Sequence, residues 1–178
     1  MERRLDIQPA APDQLAELAD VAARTFPLAC PPAVGPDDVA AFIAENLSRE
    51  RFADYLADPD RTVLVAVEDG RILGYAMMIR GVPDDPDVAA AVTELPTVEV
   101  SKMYVLPESH GSGAAAALMT AALQHAQTLG VASVWLGVNQ RNERAQRFYG
   151  KHGFAVAGTK RFRLGGHWEQ DYVMVRPA

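Results

Sequence analysis

Residues 104–115 constrain this chain more than any other stretch. Tyr-Val-Leu-Pro-Glu-Ser-His-Gly-Ser-Gly-Ala-Ala leads from a β-type run through a proline and two glycines into an alanine-rich helix. Pro107 ends the strand because it offers no N–H to a ladder. Gly111 and Gly113, with the small Ser112, Ala114 and Ala115 around them, let backbone N–H groups crowd about an anion. The helix that follows adds the positive end of its dipole. This is the chemistry of a phosphate or pyrophosphate cradle. It is not a GxxxxGK[ST] loop, since no lysine follows Gly113, and not GxGxxG, since position 116 is alanine. Taken alone, it also reads as an ordinary strand-to-helix turn.

The flanking sequence supplies an α/β frame. Residues 3–8 alternate as a first strand, and 12–26 place Leu15, Leu18, Ala19, Ala22 and Phe26 at helical spacing behind Pro12. Residues 27–36 hold four prolines and read as a loop. Pro36-Asp37-Asp38 opens a helix striped by Val39, Phe42, Ile43 and Leu47, and a short helix carries Phe52, Tyr55 and Leu56. Residues 61–68 and 71–79 are strands joined by Asp69-Gly70, the strongest short hairpin signal. Residues 81–96, acidic and holding three prolines, read as a loop or excursion. After them come a strand at 97–106, a helix at 113–129, a strand at 133–138, a helix at 142–152, and strands at 154–162 and 168–175.

Neither repeat nor linker divides the 178 residues, so one domain is expected, large enough to bury a core without staples. The lone Cys30 excludes a disulfide framework or a multi-cysteine metal site and points to a reducing compartment; four scattered histidines show no metal-ligand spacing. The first ten residues lack the apolar core of an export signal, and no run spans a bilayer, so a cytoplasmic, membrane-free protein is expected. The net charge of −6 is unevenly spread: residues 1–99 carry 19 acidic and 8 basic side chains, residues 100–178 carry 4 and 9. That balance disfavours nonspecific nucleic-acid binding and suits a protein that brings a cationic substrate to an anionic cosubstrate.

A second segment gives the cradle its meaning. Trp135-Leu136-Gly137-Val138 leads to Asn142, then Ala145, Phe148-Tyr149 and Gly153-Phe154. Together with residues 110–115, lying over the pattern Arg/Gln-x-x-Gly-x-Gly/Ala, this resembles the GCN5-related N-acetyltransferases across residues 61–175. The run from Glu99 to Tyr104 and the tail from Gly165 to Met174 look most like bacterial polyamine (spermidine/spermine) acetyltransferases. One position departs: His110 stands where the family has Arg or Gln, so a neutral imidazole offers one donor in place of five.

The resemblance implies a mixed, mostly antiparallel sheet with a splayed central strand pair and helices on both faces. It implies acceptor-side helices at about 12–60 and an acetyl-CoA-binding core at about 97–154. Met103, Tyr104 and Val105 would line the thioester and pantetheine arm, with the Met103 N–H as an oxyanion donor. His110, Gly111, Ser112, Gly113, Ala114 and Ala115 would hold the pyrophosphate, and Asn142 the pantetheine amide. Glu99 would be the base. Strand alternation puts it on the Met103 face, about 13 Å away, so it would act through a water. Tyr149 would protonate the departing thiolate. The implied acceptor is a primary amine on a small polycation, attacked directly in a ternary complex without a metal. Acetylation of protein lysines or N-termini is the rival activity, and a non-catalytic acyl-CoA-binding module the rival of another class. A homodimer stays open.

Overall fold

The computed structural model describes residues 4–178. Its strands are β1 (Leu5–Pro9), β2 (Arg61–Glu68), β3 (Arg71–Arg80), β4 (Thr97–Val105), β5 (Ser133–Asn139), β6 (Ala155–Leu164) and β7 (His167–Pro177). Its helices are α1 (Leu15–Ala29), α2 (Pro36–Asn46), α3 (Arg49–Ala57), α4 (Pro86–Ala91), α5 (Ala114–Leu129) and α6 (Glu143–Lys151). The strands follow the order β1-β2-β3-β4-β5-β7-β6 in a mixed, mostly antiparallel sheet. Antiparallel ladders join β1 to β2, β5 to β7 and β6 to β7, while β4 and β5 run parallel. The parallel ladder places Thr97 opposite Ser133, Val98 opposite Val134 and Glu99 opposite Trp135.

The chain divides into two compact units. The first runs to Met78 and takes in Lys102–Ala122. Here α1 buries Leu18, Val21, Ala22 and Phe26, and Phe26 stacks on Phe42 of α2 with ring centres 4.5 Å apart. Ser48 caps α3 by accepting the Arg51 N–H, and that helix buries Phe52 against Tyr75 of β3. Asp69 and Gly70, at φ 52° and 75°, make the turn between β2 and β3 in the left-handed geometry that such hairpins require. Residue 3 of the expected first strand lies outside the described residues.

Residues 27–29 correct the sequence reading. Pro27 does not break α1, which continues to Ala29. Proline here costs the one hydrogen bond its N–H would make, and the last turn is closed by Cys30, whose N–H donates to the Pro27 carbonyl.

The second unit comprises Ile79–Ser101 and Leu123–Ala178. It refines the sequence reading a second time: the acidic stretch expected to be a loop or excursion contains the six-residue α4. Asp85 caps it through the Asp87 N–H, Pro86 occupies the first turn, and Val88 and Val92 bury themselves against Trp135 and Val173. Two valines four apart are too faint a periodicity to see in sequence, yet enough to seat one turn and a half of helix on a tryptophan. Among the described residues no helix is long and apolar enough to cross a membrane.

Candidate active site

In the first unit β4 ends at Val105, and the Leu106 N–H donates to the Leu73 carbonyl of β3. A 3-10 turn, Pro107–Ser109, follows, tied by the Ser109 N–H to the Leu106 carbonyl. Gly111 and Gly113 then take φ of 85° and 86°, a region closed to most side chains. The Ser112 hydroxyl accepts the Ala114 N–H, and the Ala117 N–H opens the ladder of α5 at the Gly113 carbonyl. Among the described residues the N–H groups of Gly113, Ala115 and Ala116 have no acceptor, and a Cβ on Gly111 or Gly113 would meet nothing within 4 Å. Clear donors beside a helix N-terminus fit a pyrophosphate.

His110 follows the 3-10 turn at the start of this loop. Its Nε2 lies 3.0 Å from the Val105 carbonyl. A carbonyl only accepts, so Nε2 carries the proton and the imidazole braces the end of β4. Arg24 of α1 adds a second brace through Glu108, at 2.8 Å. The backbone N–H of Glu108 and the Arg24 guanidinium hold that carboxyl below its ordinary range. Beside β4, on β3, lies a residue that sequence reasoning missed. A Cβ on Gly74 would stand 2.6 Å from the Tyr104 carbonyl oxygen and 2.9 Å from Val105 Cγ2. Glycine inside a strand signals close backbone approach, and that was its only trace.

The second unit carries Glu99, Asn142 and Tyr149. Asn142 caps α6, its Oδ1 accepting the Ala145 N–H at 3.1 Å. Gln146, also missed in the sequence, ties down the turn before α6 by donating from Nε2 to the carbonyls of Asn139 and Gln140. Tyr149 lies three residues on, along the same helix face. Its ring meets Phe148 and Phe154 edgewise, burial pushes its hydroxyl up to about 12, and among the described residues that hydroxyl makes no hydrogen bond.

Pairing fixes a face of this unit's sheet. Residues directly opposite across a ladder share a face, so Glu99, Trp135, Gly137, Asn139, Asp171 and Val173 point the same way. A charged network continues that face. Glu169 accepts from Asn139 Nδ2 at 3.2 Å and from His167 Nε2 at 2.8 Å, and Asp171 pairs with Lys160 at 3.4 Å. These hydrogen bonds, His167's first, hold the Glu169 carboxyl below its ordinary range, whereas burial raises that of Asp171 despite Lys160. Among the described residues no three His, Cys, Asp or Glu side chains are grouped to hold a metal ion.

The acetyltransferase (GNAT) family matches residues 19–154. The chain belongs to that family. It is an acetyl-CoA-dependent N-acetyltransferase. An uncharacterized N-acetyltransferase of Mycobacterium tuberculosis strain H37Rv is 61% identical over 160 residues, which are 90% of this chain and 95% of that protein. A mycothiol acetyltransferase of Frankia alni is 36% identical over 107 residues, 60% of this chain and 31% of that larger protein. Among solved structures, the PaiA N-acetyltransferase of Thermoplasma acidophilum in complex with coenzyme A superposes with a TM-score of 0.77 at 19% identity, over 98% of this chain and 99% of that one. That likeness is one of fold.

Proposed function

We propose that the acceptor of this GNAT enzyme is a primary amine on a small polycation, acetylated by direct attack in a ternary complex. The observation that carries the reading is the loop with Gly111 and Gly113 at positive φ, whose clear N–H groups suit the pyrophosphate of acetyl-CoA. The acceptor's charge is read from α2 and α3, where Asp37, Glu45, Glu50 and Asp54 stand exposed.

The polyamine's ammonium must lose a proton before it attacks. A lysine-like amine, of pKa about 10.4, is free base once in roughly 2,500 molecules at pH 7, a cost of about 4–5 kcal/mol. Glu99 supplies negative charge to draw the ammonium. The Met103 N–H receives the developing oxyanion, a contribution worth about 3–4 kcal/mol at comparable sites. Tyr149 serves the leaving sulfur. With its hydroxyl near 12, it lies some 3.5 units above an ordinary thiol, so full proton transfer ahead of C–S cleavage would cost about 5 kcal/mol. Tyr149 therefore donates a hydrogen bond that strengthens as the thiolate forms.

Thiol release from acetyl-CoA, measured against polyamines, amino acids, aminoglycosides, and lysine and N-terminal peptides, tests the reading. Polyamines should give the highest kcat/KM; a preference for the peptides would overturn it.

A further inference from the structure

The face that begins with Glu99 ends in a constellation that the roles above leave unused. Glu169, only 7% exposed, holds the half-exposed imidazole of His167 at 2.8 Å. A carboxylate accepts, so the proton of the neutral ring sits on Nε2 and the lone pair on Nδ1. Among the described residues Nδ1 has no partner. Glu169 is itself fixed, by the Asn139 amide at 3.2 Å and the Arg141 guanidinium at 3.9 Å, and Asn139 is fixed to α6 through Gln146. A buried carboxylate that orients a solvent-reaching imidazole is the arrangement of a general base.

We propose that His167 takes the proton from the acceptor ammonium, with Glu169 and Asn139 as positioning residues. This rests on the amine-acetyltransferase reading. An imidazole is ordinarily about two pKa units more basic than a carboxylate, and so is better matched to an amine's proton at neutral pH. Placement agrees. Asn139 pairs with Asp171 on the face that carries Glu99, and Glu169, two residues before Asp171, shares that face. The ammonium gives one proton to Nδ1, the amine nitrogen bonds to the acetyl carbon, the C–S bond breaks, the nitrogen's second proton passes to the departing sulfur so that the products are the amide and the coenzyme A thiol, and the imidazolium returns its proton to solvent. The charged groups around the dyad are Asp171 on its own strand, Lys160 and Arg163 on β6, and Arg141 before α6.

The test uses the full chain with His167→Ala, Glu169→Gln and Glu99→Gln, and spermidine, Nα-acetyl-lysine and an alanyl peptide as acceptors. For whichever acceptor the parent protein turns over, His167→Ala should lose about 100-fold in kcat/KM, with coenzyme A affinity held within about twofold. Added imidazole should restore at least about tenfold to His167→Ala and nothing to Glu99→Gln. A merely structural histidine would not respond to imidazole. The proposal is overturned if His167→Ala stays within about threefold of the parent, or if its loss is indifferent to imidazole. Failure of the parent protein to bind coenzyme A would overturn the cosubstrate reading instead.

Discussion

The carbonyl oxygen of Tyr104 lies 2.6 Å from the point where a Cβ on Gly74 would stand. Both belong to the first unit, and the missing side chain lets β3 run close beside the last residues of β4. The obstruction is backbone, with Val105 Cα a further 3.0 Å neighbour, so no rotamer change can relieve it. Gly74→Ala should destabilise the protein by about 1–3 kcal/mol, as overpacking does, and weaken coenzyme A binding by displacing Tyr104 and Val105. Thermal denaturation and titration calorimetry check it; an unchanged midpoint and affinity would show that β4 yields freely.

Gly113→Glu should leave the circular-dichroism spectrum intact and abolish coenzyme A binding. A non-glycine residue at φ 86° costs about 1–2 kcal/mol, and the space around it is open, so the fold tolerates the change. The added carboxylate stands where the phosphates would. Gly113→Ala separates the two effects, because it bears the same backbone strain without the charge. Calorimetry on the pair decides; equal affinities would dismiss the cradle.

Tyr149→Phe should lower kcat by at least about tenfold while leaving the thermal midpoint within about one degree, since the hydroxyl anchors nothing. Because burial pushes that hydroxyl to about 12, activity should show no loss from its ionisation up to pH 10. Rates from pH 7 to 10, with tyrosinate absorbance followed in parallel, provide the check. Parent-like turnover by the variant would leave Tyr149 as packing alone.

Acid should weaken the fold through His152. Burial, with the Arg176 charge, holds its imidazole below the ordinary value, and burial does the same for His125. The unfolded chain therefore binds these protons first as pH falls. The stabilisation is whole above the unfolded value of about 6.5 and is lost as pH drops through the lowered folded values. His152→Gln should flatten the fall of the thermal midpoint between pH 7.5 and 5. Parallel curves for variant and parent would exclude His152 as a contributor.

What could be read from the sequence was local. Asp69-Gly70 announced a hairpin because two left-handed residues in a row permit little else, and Gly111 and Gly113 announced a backbone turn for the same reason. Pro27 misled because its penalty is a single hydrogen bond, which a helix end absorbs. Helix α4 was hidden because its apolar partner, Trp135, lies more than forty residues away. The pairs Asn139–Glu169 and Gly74–Tyr104 were illegible for a related cause: thirty residues separate each, and only the strand register determines who faces whom.

The outermost strands of the sheet carry a consequence for life at high concentration. Strand β1 is five residues long and ends in Pro9, and β6 is broken by a register shift between Val156 and Gly158. Lys160, Arg161 and Arg163 crowd the rest of β6, two of their guanidiniums lying 4.7 and 5.5 Å from the half-exposed ring of Trp168. A long, flat, uncharged rim would recruit further strands and seed fibres. Short length, proline, a bulge and the exposed guanidiniums of Arg161 and Arg163 each disrupt such a template.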